Sequence, residues 1–136
     1  MESIYILKCE QDKWYVGKSA NVNKRFEQHV NGKGAKWTEL HKPISIELTM
    51  ELKSDTHEDE VTIEYMEKYG IKNVRGGKYC NVEFKSYELK RIKEDIASYK
   101  FNRDMTILKN KIKNEFTNPD SDLRTGRWFT KFFYKS

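Results

Sequence analysis

Cysteine is scarce in this chain: only Cys9 and Cys80 occur in 136 residues. Two thiols cannot build a disulfide scaffold, and neither sits in a Cys-x-x-Cys or Cys/His zinc spacing. They read as reduced thiols, which points to a cytosolic-type or nucleus-accessible setting. No apolar run approaches the ~18 residues of a membrane-crossing helix. The opening MESIYILKCE lacks the basic, apolar and small-residue order of a secretory signal. The expectation is a protein neither secreted nor membrane-embedded. Internal repeats and low-complexity tracts are also missing. What is not scarce is aromatic residues, at 13% of the chain. Chains that stay disordered are poor in them, so a packed core is expected. The length allows one domain with an appendage.

The formal charge of +5 is unevenly spread. Residues 1–84 hold 13 bases and 14 acids, whereas residues 85–136 hold 13 bases and 7 acids. The division 1–84 and 85–136 is therefore drawn as a near-neutral body and a basic, mostly helical extension. A basic appendage suits a polyanionic partner, above all nucleic acid. On charge alone, a lysine-rich solvated surface explains it equally well.

Residues 3–8 (SIYILK) read as a buried strand, residues 10–13 as a polar turn, and Trp14-Tyr15-Val16-Gly17 as a second strand, together a hairpin. Asn21 caps a helix over 22–31 that Gly32 ends, with Val22, Phe26 and Val30 on one stripe. Residues 44–52 alternate cleanly. Ile44, Ile46, Leu48, Met50 and Leu52 are predicted to face one way, which is the strongest strand signal in the chain. A helix over 56–69 follows, capped by Ser54 or Asp55 and stopped by Gly70. Residues 79–84 read as a further strand. From Ser86 the pattern is helical. The stripe of Leu89, Ile92, Ile96 and Tyr99 gives way to Phe101, Met105, Leu108, Ile112 and Phe116, rotated by about 165° at 100° per residue. That phase change predicts a break near Asn102.

Tyr5 and Tyr15 fall on neighbouring strands, Lys18 just past the second, and Arg25 and His29 one turn apart on the next helix. Ser3-Ile4-Tyr5, Tyr15-Val16-Gly17-Lys18-Ser19, Arg25 and His29 stand in the order and spacing of the GIY-YIG nucleases, which this sequence resembles from residue 3 to about 77. Tyr69-Gly70-Ile71-Lys72-Asn73-Val74-Arg75-Gly76-Gly77 is similar to a segment of the small members of that family. The first motif departs from the pattern in holding Ser3 where glycine is usual. The resemblance implies an α+β fold, an α/β sandwich with a central three-stranded antiparallel sheet flanked by helices. It also implies divalent-metal phosphodiester hydrolysis with Tyr5, Tyr15, Lys18, Arg25, His29 and one glutamate in the active site. It leaves open which tyrosine is the base. Asn73 and Asn81 are both candidates for the family's late asparagine, and neither is assigned.

Periodicity helps to choose the glutamate. On the 56–69 helix, Glu58 points with Val61, Thr62, Tyr65 and Tyr69, while Glu60, Glu64 and Glu67 point away. An unpaired carboxylate on a core-facing stripe is costly, and a cation would resolve the cost. Glu58 is thus the expected ligand of Mg²⁺ or Mn²⁺, with Glu60 as the second choice. Mg²⁺ keeps several waters, so one carboxylate and a substrate phosphate suffice. Arg25 can offer paired donors to that phosphate. Tyr5 or Tyr15 can deprotonate water if its pKa, normally ~10, is lowered, and Lys18 is the nearby cation expected to lower it. Taken singly, each residue has an ordinary reading: strand tyrosines are mostly core, and Arg25 and His29 edge an apolar stripe.

Residues 18–42 carry six bases against two acids. Lys33, Lys36 and Trp37 are candidates to hold a nucleic-acid backbone and stack on a base. Arg75, beside Gly76 and Gly77, is a candidate for a phosphate. In the tail, Phe129, Phe132 and Phe133 are expected to pack, leaving Arg124, Arg127, Lys131 and Lys135 for nucleic acid. The sequence thus predicts a metal-dependent endonuclease acting on DNA, with RNA as the alternative substrate and a non-catalytic nucleic-acid-binding module as the alternative function. It sets no oligomeric state; a dimer is one way for a small single-site nuclease to cut two strands.

Overall fold

A computed structural model describes residues 1–117. Strand β1 (Ser3–Cys9) turns through a short 3-10 segment (Glu10–Asp12) into β2 (Lys13–Ser19). Helices α1 (Val22–Val30) and α2 (Lys36–Leu40) follow, then β3 (Pro43–Glu51), α3 (His57–Tyr69), β4 (Val74–Gly76) and α4 (Ser86–Thr117). The α+β class is as expected. So are the three central antiparallel strands, β3-β1-β2; a fourth, β4, adds to them parallel to β2, giving the order β3-β1-β2-β4. The predicted strand over 79–84 is absent because the carbonyls of Asn81 and Val82 accept hydrogen bonds from the Arg75 guanidinium instead of a neighbouring strand.

Alternation along β1 and β2 sorts side chains to two faces. Ile4, Ile6, Trp14 and Val16 join Val61, Ile63 and Met66 of α3, with Ile92 of α4, in the main core. Tyr5, Leu7 and Cys9 take the opposite face, under Val22 and Phe26 of α1. The Asn21 side chain accepts from the Lys24 N–H at 3.1 Å and so caps α1 as expected. Helix α3 starts without a side-chain cap, contrary to the expected Ser54 or Asp55, and stops where Gly70 takes φ 99°.

The clean alternation predicted for residues 44–52 does not survive pairing. The register on β1 slips between Ile6 and Leu7 and again between Lys8 and Cys9. The first slip leaves Glu47 unpaired, which sends Ile46 to the Tyr5 face and Met50 to the main core. Ile44 and Leu48 are left 58% and 46% exposed.

The chain divides into two units, Met1–Tyr99 and Lys100–Ser136. The first ends within α4 rather than after Phe84, because Ile92 is buried in the main core and Ile96 and Tyr99 pack against it. The Tyr79 hydroxyl also donates to Asp95 at 2.8 Å. The described part of the second unit is helical throughout, and Phe101, Met105, Ile107 and Leu108 are exposed on it. The break expected near Asn102 does not occur. Among the described residues only the first stripe meets an apolar core, through Ile92, Ile96 and Tyr99.

Candidate active site

Tyr5 lies opposite Gly17 in the β1–β2 ladder, and Leu7 lies opposite Tyr15. The two tyrosines are therefore diagonal neighbours on one face, with ring centroids 6.4 Å apart. Gly17 is what lets the Tyr5 ring lie down: a Cβ there would collide with the ring and its hydroxyl. Helix α1 lowers His29 onto the pair. Its ring centroid is 5.8 Å from that of Tyr5 and 5.0 Å from that of Tyr15. The Tyr5 hydroxyl and His29 Nε2 are hydrogen-bonded at 2.8 Å. His29 is wholly buried, and Nδ1 meets the Thr38 hydroxyl at 2.7 Å.

Burial dominates the electrostatics. It raises both tyrosine pKa values, Tyr15 more strongly. Glu58 pushes both further up, while the Arg25 guanidinium beside Tyr5 pulls the other way. The expected depression of a tyrosine by Lys18 is not found, since exposed Lys18 faces Glu58, whose pKa it lowers against burial, Asp59 and Glu2. Burial, reinforced by Arg25, lowers His29 to about 4, so at neutral pH its imidazole is uncharged. Arg25 also donates to Gln28 Oε1 at 2.9 Å.

Glu58 is half-buried on α3, and Glu60 is exposed. The helix buries Val61, Thr62, Ile63 and Met66, leaving Tyr65 and Tyr69 at the rim with Glu58. Among the described residues the Glu58 carboxylate has no hydrogen-bond or ion-pair partner, although burial already raises its pKa. No three His, Cys, Asp or Glu side chains among them form a metal cage. A lone carboxylate with open lone pairs fits a hard cation that keeps its own waters, not one that needs a closed shell.

The family model described as the GIY-YIG catalytic domain matches residues 1–81. The chain belongs to the GIY-YIG family. A UPF0213 protein of Halalkalibacterium halodurans is 32% identical over 85 residues, covering 57% of this chain and 88% of the relative. One of Staphylococcus epidermidis is 34% identical over 77 residues, covering 54% and 94%. One of Cupriavidus necator is 39% identical over 62 residues, covering 44% and 67%. No solved structure matches the chain. The GIY-YIG domain is that of a nuclease family that generally uses a divalent metal, and no helix among the described residues is long and apolar enough to cross a membrane.

Within this GIY-YIG domain two of the expected nucleic-acid contacts are structural instead. Trp37 is 3% exposed, and its Nε1 donates to the Trp14 carbonyl at 2.9 Å. Arg75 is 4% exposed, with its guanidinium 4.3 Å from the Trp37 ring and 3.9 Å from the Phe84 ring. It donates to the carbonyls of Asn81, Ile71, Val74 and Val82 at 2.7 to 2.9 Å. Four of its five N–H donors are thus committed to main-chain carbonyls, and desolvation lowers its pKa to about 10. Lys33 and Lys36 are exposed. Lys36 borders a groove of about 630 Å³ with Ala35, Cys80, Asn81 and Lys85. Arg124 and Arg127, like the tail phenylalanines, Lys131 and Lys135, lie outside the described residues. Asn73 is a staple, accepting from Lys13 at 2.7 Å and donating to the Tyr69 carbonyl at 2.8 Å. Asn81 donates to Glu88 at 2.8 Å on the groove wall.

Sequence reading missed Gly34 and Thr38. Gly34 lies beside Lys33, in a stretch noted in the sequence only for its basic residues, yet a Cβ there would collide with His29 Nδ1. Thr38 is fully buried behind the same ring. No periodicity or charge pattern marks either one.

Proposed function

We propose that this protein is a metal-dependent endonuclease that hydrolyses phosphodiester bonds in DNA. The observation that carries the reading is the 2.8 Å bond from the Tyr5 hydroxyl to a neutral His29, with Tyr15, Arg25 and Glu58 around it. A buried tyrosine is a poor base when it must hold a phenolate, as the raised pKa of Tyr5 says. It is a competent one if its own proton has somewhere to go. Water gives a proton to the Tyr5 oxygen while Tyr5 gives its proton to Nε2, and the hydroxide formed attacks phosphorus. That relay favours Tyr5 over Tyr15 as the base. Tyr15 keeps its proton and can donate a hydrogen bond.

Glu58 would hold Mg²⁺ or Mn²⁺, which when bound supplies charge stabilisation on the phosphate and the leaving oxygen. Arg25 orients the phosphate with paired donors. Lys18 adds positive charge next to Glu58 and favours its ionised form. Lys33 and Lys36 guide the strand toward the groove, and the basic residues 100–136 add affinity without sequence reading.

The test is a cleavage panel of duplex, nicked, flap and branched DNA and of RNA, each with Mg²⁺ and with Mn²⁺. Cutting of DNA that EDTA abolishes is expected. Cutting of RNA alone would change the substrate class. Salt-sensitive binding with no cutting would make the protein a binding module. Truncation after Tyr99 keeps the main core and is expected to weaken DNA binding and flatten its salt dependence, read by fluorescence anisotropy.

A further inference from the structure

We infer that Thr38 is a positioning residue that holds His29 in the Nδ1–H tautomer and so leaves Nε2 free to accept the Tyr5 proton. The catalytic consequence rests on the nuclease reading above; the tautomer itself does not.

Two ends of one hydrogen-bond chain lead to the same assignment. At one end, Thr38 Oγ1 donates to the Ala35 carbonyl at 2.9 Å. A hydroxyl has one hydrogen, and a carbonyl can only accept. With that hydrogen committed, the 2.7 Å contact between Thr38 Oγ1 and His29 Nδ1 is a hydrogen bond only if Nδ1 carries the proton. At the other end, the Arg25 guanidinium beside the Tyr5 hydroxyl can only donate. The phenolic hydrogen therefore points to Nε2, at 2.8 Å, which must be bare. A neutral imidazole carries one hydrogen, so the two ends agree.

Among the described residues the packing brings no other hydrogen-bonding group to Nδ1. His29 and Thr38 are both fully buried, and Gly34 closes against the Nδ1 edge of the ring without a side chain of its own. Helix α2 begins beside this ring, and its Thr38 delivers the oxygen while the Ala35 carbonyl, which also accepts the Glu39 N–H at 3.1 Å, orients it. When Nε2 takes up the proton, the Nδ1–H bond to Thr38 is kept, so the ring need not turn during the transfer.

The experiment is long-range ¹H–¹⁵N correlation on the full chain with ¹⁵N-labelled histidine at neutral pH. The His29 signals are assigned by their loss in His29→Gln. A protonated Nδ1 and an unprotonated Nε2 are expected in the wild type; the reverse pattern overturns the proposal with no Thr38 variant needed. Thr38→Val removes the acceptor at nearly constant volume. It is expected to shift His29 toward the Nε2–H form and to lower kcat by about tenfold or more with DNA affinity unchanged. Thr38→Ser is expected to restore both the spectrum and the rate. An unchanged tautomer in Thr38→Val, or a Thr38→Ser protein that behaves like Thr38→Val, also overturns it. If thermal melting shows that Thr38→Val does not fold, the wild-type and Thr38→Ser spectra decide. A wild type with the expected tautomer that cuts no nucleic acid refutes the nuclease reading and leaves the tautomer assignment standing.

Discussion

Two polar clusters are set into this fold, and they are finished differently. Around Arg75 a buried cation is stacked between Trp37 and Phe84 and makes four hydrogen bonds to main-chain carbonyls. Around Glu58 a half-buried anion has no such partner among the described residues, and two tyrosines are held beside it with raised pKa values. In the sequence both are charged residues singled out as candidate ligand-binding groups, Glu58 for a cation and Arg75 for a phosphate. Completeness separates them. A satisfied buried charge pins segments together, whereas an unsatisfied one keeps capacity for something that arrives from outside.

The contrast can be broken most sharply at Glu58. Glu58→Gln is expected to reduce metal-dependent cleavage by about 1,000-fold or more while leaving the melting temperature and DNA binding nearly unchanged. Loss of cutting in Glu60→Gln instead would move the metal site to the exposed side of α3. Arg75→Ala is expected to do the opposite. It opens a cavity and strands four carbonyls, so unfolding free energy should fall by about 3–5 kcal/mol, read by urea titration. Arg75→Lys should recover only part of this, because an ammonium cannot fork to four carbonyls or stack flat on a ring.

Acid should act through His29. Its folded pKa of about 4 lies below the ordinary 6.5, so the unfolded chain binds more protons between those values. Stability contributed by the neutral ring is complete above about pH 6.5 and is lost as pH falls toward 4, by about 3 kcal/mol. Urea midpoints measured from pH 7 to 4 should show that slope, and His29→Gln should flatten it. The smallest perturbation is Gly34→Ala. One methyl against Nδ1 should push the ring off Tyr5 and cost about tenfold in kcat, with little change in KM.

Much of this architecture was legible in the sequence. The hairpin, α1 with its Asn21 cap, α3 with its Gly70 stop and the half-buried phase of Glu58 all follow from local rules. What was not legible depended on distant partners. Nothing in VRG shows that three residues will pair in parallel with β2. The alternation of residues 44–52 hides a register slip that only β1 imposes. Trp37 and Arg75 carry the composition of a nucleic-acid contact, and only their mutual stacking reveals them as scaffold. Gly34 and Thr38 become visible only once His29 is in place between them.

The slipped register of β3 has a consequence for the molecule's company. β3 is an edge of the sheet, and it presents Ile44 and Leu48 to water. A straight, regular edge bearing those side chains would invite another strand to dock and polymerise. Two irregularities within nine residues spoil the even ladder of N–H and C=O groups that such docking requires. The same slip that confuses the sequence pattern acts as a guard against self-association through this edge.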